Sequence, residues 1–224
     1  MALTTKQLQP IVGSYLKKQQ NGTLGNIFAA LKSIQITYQQ TSDIDDLRYL
    51  LALCLRCRHG RRMPWVSTHI AVSRLISINI LTLSFKDFEA LYDYLEQLLG
   101  DIPFVRGDLM LYDTAVNIGQ LLTPIVSPHA YVYLASGARE GAGYILGKRN
   151  VKRKMHTSIF SPLLPGVQNI DIENMLCIYK SLFKKLSEGK TLSPLEIDQA
   201  YNPHCYYPRP KKEYIARLNS IIIL

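Results

Sequence analysis

The sequence predicts an all-α fold, one compact multi-helix domain over residues 1–224. Three observations predict it. Apolar residues recur at helical spacing in most segments, start and stop signals flank those segments, and alternating polar–apolar runs long enough for a sheet are lacking.

Residues 4–20 and 23–40 show the helical pattern weakly. Leu47, Leu50, Leu51, Cys54 and Leu55 then form one stripe, and Asp43, Asp45 and Asp46 place negative charge at the positive end of that helix. Trp65 to Leu83 reads as a buried helix. His69, Arg74 and Asn79 interrupt it before it reaches the roughly 20 apolar residues of a membrane span. Ser84 with Asp87 reads as a capping box ahead of a helix that carries Phe85, Phe88, Tyr92, Leu95 and Leu99 on one face and ends at Gly100. Ala130 to Leu134 fits a short strand or a helical turn equally.

Further on, Ile172, Met175, Leu176, Tyr179, Phe183 and Leu186 read as one helix, started by Asp171 and Glu173 and stopped by Lys184, Lys185 and Gly189. Ser193-Pro194 reads as an N-cap followed by proline at the first helical position. Eight to ten helices are expected. Residues 149–170, basic and then rich in Ser, Pro and Gly, read as a surface linker, and the three prolines of 201–212 forbid regular structure there.

An apolar fraction of 47% is too high for a disordered chain. The formal net charge of +9 favours phosphate-rich or acidic partners through its long-range field. The N-terminus lacks a cationic region followed by an apolar run, so no signal peptide is expected. Four cysteines in a chain of this length do not resemble a disulfide framework, and a reducing cytoplasm is the expected setting.

The region 91–147 carries the most information, with a helix-hairpin-helix-like core near residues 91–120. A helix ends at Leu99-Gly100, Asp101-Ile102-Pro103-Phe104-Val105-Arg106-Gly107 makes a turn, and a second helix carries Tyr112 to Gly119. This arrangement resembles the helix-hairpin-helix motif of DNA-repair glycosylases and other DNA-binding proteins. The resemblance implies that the hairpin, with Arg106 and Gly107, holds a phosphate at the start of the second helix, where N–H donors and positive partial charge collect. This hairpin lacks the motif's second glycine and places Asp108 at the helix start. An ordinary αα-hairpin would use the same turn residues. Tyr112-Asp-Thr-Ala-x-x-Ile-Gly119 and Val132-Tyr-Leu-x-x-Gly-x-Arg-x-Gly-Ala142 also resemble an uncharacterised group of bacterial hypothetical proteins, which implies one site or packed unit and no activity.

Glycosylase chemistry is not expected, because Glu140 is the only carboxylate between Asp113 and Asp171. Ser136 to Gly143 sets Gly137 and Gly141 four apart beside Ala138 and Ala142, a flat face for close helix packing, with anion binding near Arg139 as the other reading. Two basic clusters follow the same logic: Arg56, Arg58, Arg61 and Arg62, and then Lys148, Arg149, Lys152, Arg153 and Lys154. Charges this dense need solvent or an anion. Cys54-x-x-Cys57-x-His59, with His204-Cys205, is suggestive of zinc, but Cys54 belongs to an apolar stripe and buried thiols are the better reading. The motifs call for no cofactor or metal, and no nucleophile–base pair is legible.

The expectation is a non-catalytic protein that binds nucleic-acid backbone through Arg106, Gly107, Arg139, Lys148, Arg149, Lys152, Arg153 and Lys154. An interaction module for an acidic protein partner is the first alternative. An enzyme using Tyr112, Asp113 and Arg139 on a small phosphorylated ligand is the second.

Overall fold

The computed structural model describes residues 2–20, 25–56, 63–105, 108–149, 151–200 and 210–221, and not the side chains of 25, 26, 108 and 109. The protein is helical, with eleven α-helices and one two-stranded sheet among the described residues. Of these described elements, no helix is long and apolar enough to cross a membrane. Contacts divide the chain into two compact units, residues 1–25 with 128–203, and residues 26–127 with 204–224. The segments 112–119 and 132–142, expected in one packed unit, fall in different ones.

The second unit holds α2 (Gly25–Thr41), α3 (Ile44–Cys54), α4 (Trp65–Ser77), α5 (Phe88–Leu99), α6 (Asp108–Gly119) and α11 (Lys211–Asn219). The α3 helix begins where the Asp43 carboxylate accepts the Asp45 N–H at 2.9 Å, and its expected stripe is buried. The Trp65–Leu83 stretch is helical to Ser77, then turns at left-handed Asn79 (φ 51°) into a 3-10 turn. The cap of α5 is Asp87, which accepts the Ala90 N–H at 2.8 Å, rather than the expected Ser84. Phe85 therefore precedes the helix and stacks edge-on with Tyr94 at 5.4 Å.

Within this unit α5 packs against α6, with Phe88 edge-on to Tyr112 at 5.7 Å. Arg74 ties α4 to the end of α5. Its guanidinium donates to the Leu98 carbonyl at 2.8 Å and grips both oxygens of Asp101. The C-terminal α11 seats Tyr214 edge-on to Tyr49 and Trp65, while Lys211 bridges Asp43 and Asp46 at 2.8 and 2.7 Å.

The first unit holds α1 (Thr5–Gln20), β1 (Tyr131–Tyr133), α7 (Ser136–Leu146), β2 (Lys154–His156), α8 (Ile172–Ile178), α9 (Lys180–Ser187) and α10 (Pro194–Ala200). The Ala130–Leu134 ambiguity resolves as a strand, since β1 pairs antiparallel with β2 and Val132 stands opposite Met155. Residues 149–170 accordingly contain β2 and bury Phe160 and Leu164, more order than a bare surface linker. The helix expected over 172–186 breaks at Tyr179 into α8 and α9, because Tyr179 leaves helical geometry (φ −95°, ψ 10°). That break, and the helix α11, raise the number of helices above the expected range.

The core of the first unit is the α7 face. Gly141 meets α8 so closely that a Cβ there would lie 2.2 Å from the Leu176 carbonyl oxygen, and one at Gly137 would lie 2.8 Å from Cys177 Sγ. Ala138 and Ala142 are fully buried beside them. The small-residue stripe is therefore a helix-packing face. Ser193 and Glu196 cap α10 reciprocally: Glu196 Oε2 accepts the Ser193 N–H at 2.9 Å, and Ser193 Oγ accepts the Glu196 N–H at 3.2 Å.

Candidate anion-binding site

With one face of α7 committed to α8 and α9, its polar face is left for solvent, and the basic residues collect there. Gly147, left-handed at φ 63°, caps α7 and turns the chain sharply, so Lys148 and Arg149 follow beside the helix end. The result is a cleft of about 350 Å³ lined by Arg139, Glu140, Gly143, Tyr144, Lys148 and Arg149, with Gly147 and Ser187 completing it. Arg139 is half-buried, whereas Lys148 and Arg149 are exposed.

Glu140 is the single carboxylate of that lining. Lys180 on α9 donates to Glu140 Oε2 at 3.0 Å, and the Tyr144 hydroxyl donates to Oε1 at 3.1 Å. The Lys180 ammonium first, and the Tyr144 hydroxyl second, hold the Glu140 carboxyl below its ordinary pKa. The Tyr144 hydroxyl is pushed up in turn, by desolvation first and then by its bond to Glu140. The negative charge is thus kept, but it is engaged on both oxygens.

Five residues past Arg149 the chain enters β2. Strand alternation sends Lys152, Lys154 and His156 outward and leaves Arg153 and Met155 half-buried. Arg153 Nε is sealed from solvent, and the Arg153 carbonyl accepts the Leu134 N–H at 2.6 Å. Arg153 therefore belongs more to the unit's interior than to an outward row of cations. Lys154 Nζ sits 4.5 Å from the centre of the Tyr131 ring and 5.1 Å from that of Tyr133, and the His156 ring stands edge-on to Tyr131 at 5.3 Å. Cation–π attraction holds this ammonium in place without neutralising it. Sequence reasoning did not foresee that pairing. The alternation of Tyr131 and Tyr133 on a strand was the signal for it.

The other expected residues distribute differently. Arg106 and Gly107 lie outside the described residues, as do Cys57, His59, Arg58, Arg61, Arg62, His204 and Cys205. Around the bend, Ile102 and Val105 are buried, and Phe104 is exposed with φ at 72°. Arg56 is buried, not solvated as its cluster was expected to be. Burial pushes the Cys54 thiol far up, so it is an inert core group. Among the described residues no cluster of His, Cys, Asp or Glu could hold a metal. Tyr112 and Asp113 are buried in the second unit, whereas Arg139 belongs to the first.

No family model, curated protein or solved structure matches this chain.

Proposed function

We propose that the first unit binds the sugar-phosphate backbone of nucleic acid and performs no chemistry on it. One observation carries this reading: Arg139, Lys148 and Arg149 surround one cleft, and exposed Lys152 and Lys154 follow within a few residues, with Glu140 the single carboxylate lining the cleft. Cations placed so close repel one another, and a polyanion relieves that repulsion while releasing its own counterions. Such contacts position a strand without reading its bases.

In the same reading the turn between α5 and α6 is a second phosphate contact, in the manner of the helix-hairpin-helix that its sequence resembles. Arg106 and Gly107 would make it.

The test is a gel-shift titration with single-stranded and duplex DNA and RNA. The triple variant Lys148→Glu/Lys152→Glu/Lys154→Glu is expected to lose most of the affinity. An unrelated protein of equal net charge is the reference. If the wild-type protein binds no better than that reference, the reading fails. If it ignores nucleic acid but captures an acidic protein through the same cations, the site serves a protein partner instead.

A further inference from the structure

We infer that the cleft beside α7 receives the terminal phosphomonoester of a nucleic-acid strand, so that the first unit holds strand ends in preference to strand interiors. The inference rests on the backbone-binding reading above and narrows it to one chemical group.

Size is the first argument. About 350 Å³ lies near the lower limit of small-ligand sites, which suits one nucleotide-sized group better than a run of them. Strand interiors are more naturally met by the exposed cations Lys152, just ahead of β2, and Lys154 on it.

Charge is the second. Three cationic side chains line the cleft. A terminal phosphomonoester carries about −1.5 to −2 at neutral pH and three acceptor oxygens, against a single charge on an internal diester. Arg139 and Arg149 are forked donors that suit such an oxygen set, and Lys148 adds a compact charge.

The shape of the cleft is the third. Gly143 and Gly147 contribute no side chains to it, and a Cβ at Gly143 would lie 2.9 Å from the Lys148 carbonyl oxygen. The absence of a side chain at Gly143 lets the chain beyond Gly147 close against α7, which keeps Lys148 and Arg149 beside the cleft. The half-buried ring of Tyr144 lies in the same lining and offers a face to a terminal base. Glu140, the group that would repel a phosphate, is already engaged by Lys180 and Tyr144.

The test is fluorescence anisotropy with one short single-stranded sequence in three forms, carrying a 5′-phosphate, a 3′-phosphate or hydroxyls at both ends. One phosphorylated form is expected to bind about tenfold more tightly than the hydroxyl form. That advantage should vanish in Lys148→Ala/Arg149→Ala, whose altered side chains are exposed, while binding of the hydroxyl form falls only in proportion to the lost charge. Equal affinity for all three forms overturns the inference and leaves the backbone-binding reading standing. An advantage that survives in the double variant also overturns it. A mononucleotide that binds as tightly as the phosphorylated strand overturns it in favour of a free nucleotide. Failure of every oligonucleotide to bind removes both readings.

Discussion

Gly141 of α7 lies against Leu176 of α8 with room for hydrogen and no more, since an added Cβ would fall 2.2 Å from the Leu176 carbonyl oxygen. The obstacle is backbone, which a rotamer change cannot clear. Gly141→Ala is therefore expected to force α7 away from α8 and to destabilise the first unit by about 1–3 kcal/mol. Gly13, exposed within α1 with nothing near its Cβ position, is the control: Gly13→Ala should stabilise by about 0.5–1 kcal/mol through helix propensity. Thermal unfolding of the two variants should shift in opposite directions. A Gly141→Ala protein as stable as wild type would show that α7 and α8 are not in this contact.

Asp101 lies under Arg74, and their bond is the largest cause of both the lowered Asp101 pKa and the raised Arg74 pKa. Because Arg74 also donates to the Leu98 carbonyl, it pins the end of α5 ahead of the turn into α6. Arg74→Ala is expected to raise amide-hydrogen exchange locally at residues 98–102. Stability should change little, since solvent screens an exposed ion pair. Unchanged exchange there would mean that the turn holds itself without the pair.

Glu196 has its pKa lowered to about 2, first by Lys185 and then by the Ser193 backbone and hydroxyl. A depressed carboxyl stabilises the fold above its unfolded value and loses that contribution as pH falls toward the folded value. The α10 cap should therefore weaken between about pH 4.5 and pH 2. Glu196→Gln keeps an acceptor but loses the charge, and it should flatten the acid limb of the stability profile over that window. An identical acid limb in wild type and variant would contradict the capping role.

Glu140 opposes the cations of its own cleft. Glu140→Gln removes that charge while preserving the side chain's shape, and it releases Lys180 as a further cation. Affinity for nucleic acid is expected to rise a few-fold, with a steeper salt dependence. A fall in affinity would indicate that Glu140 accepts a hydrogen bond from the ligand.

Much of the architecture was legible because helix formation is local. The stripe of α3 and the small-residue face of α7 follow from spacing alone, and the Ser193 cap from its residue type and the proline after it. Less legible was everything set by contacts distant in sequence. Tyr179 carries the same apolar signal as its neighbours yet breaks the helix, and Arg56 is buried although its sequence neighbours suggest solvent. The cleft was half visible. Arg139 and Lys148 could be named from composition, but the left-handed Gly147 that sets them together and the Tyr131 ring beneath Lys154 required the fold.

The cations of the first unit acting together on a polyanion is the claim on which most depends. The most direct measurement is the equilibrium constant for an oligonucleotide across a series of salt concentrations, for wild type and for Lys152→Ala/Lys154→Ala. Five engaged cations should make the logarithm of the constant fall linearly with the logarithm of salt, with a slope of about −4.5 on duplex DNA and about −3.5 on single strands. The double variant should lose roughly one unit of slope per lysine removed. A salt-independent constant, or one whose slope both lysines leave untouched, would contradict the account.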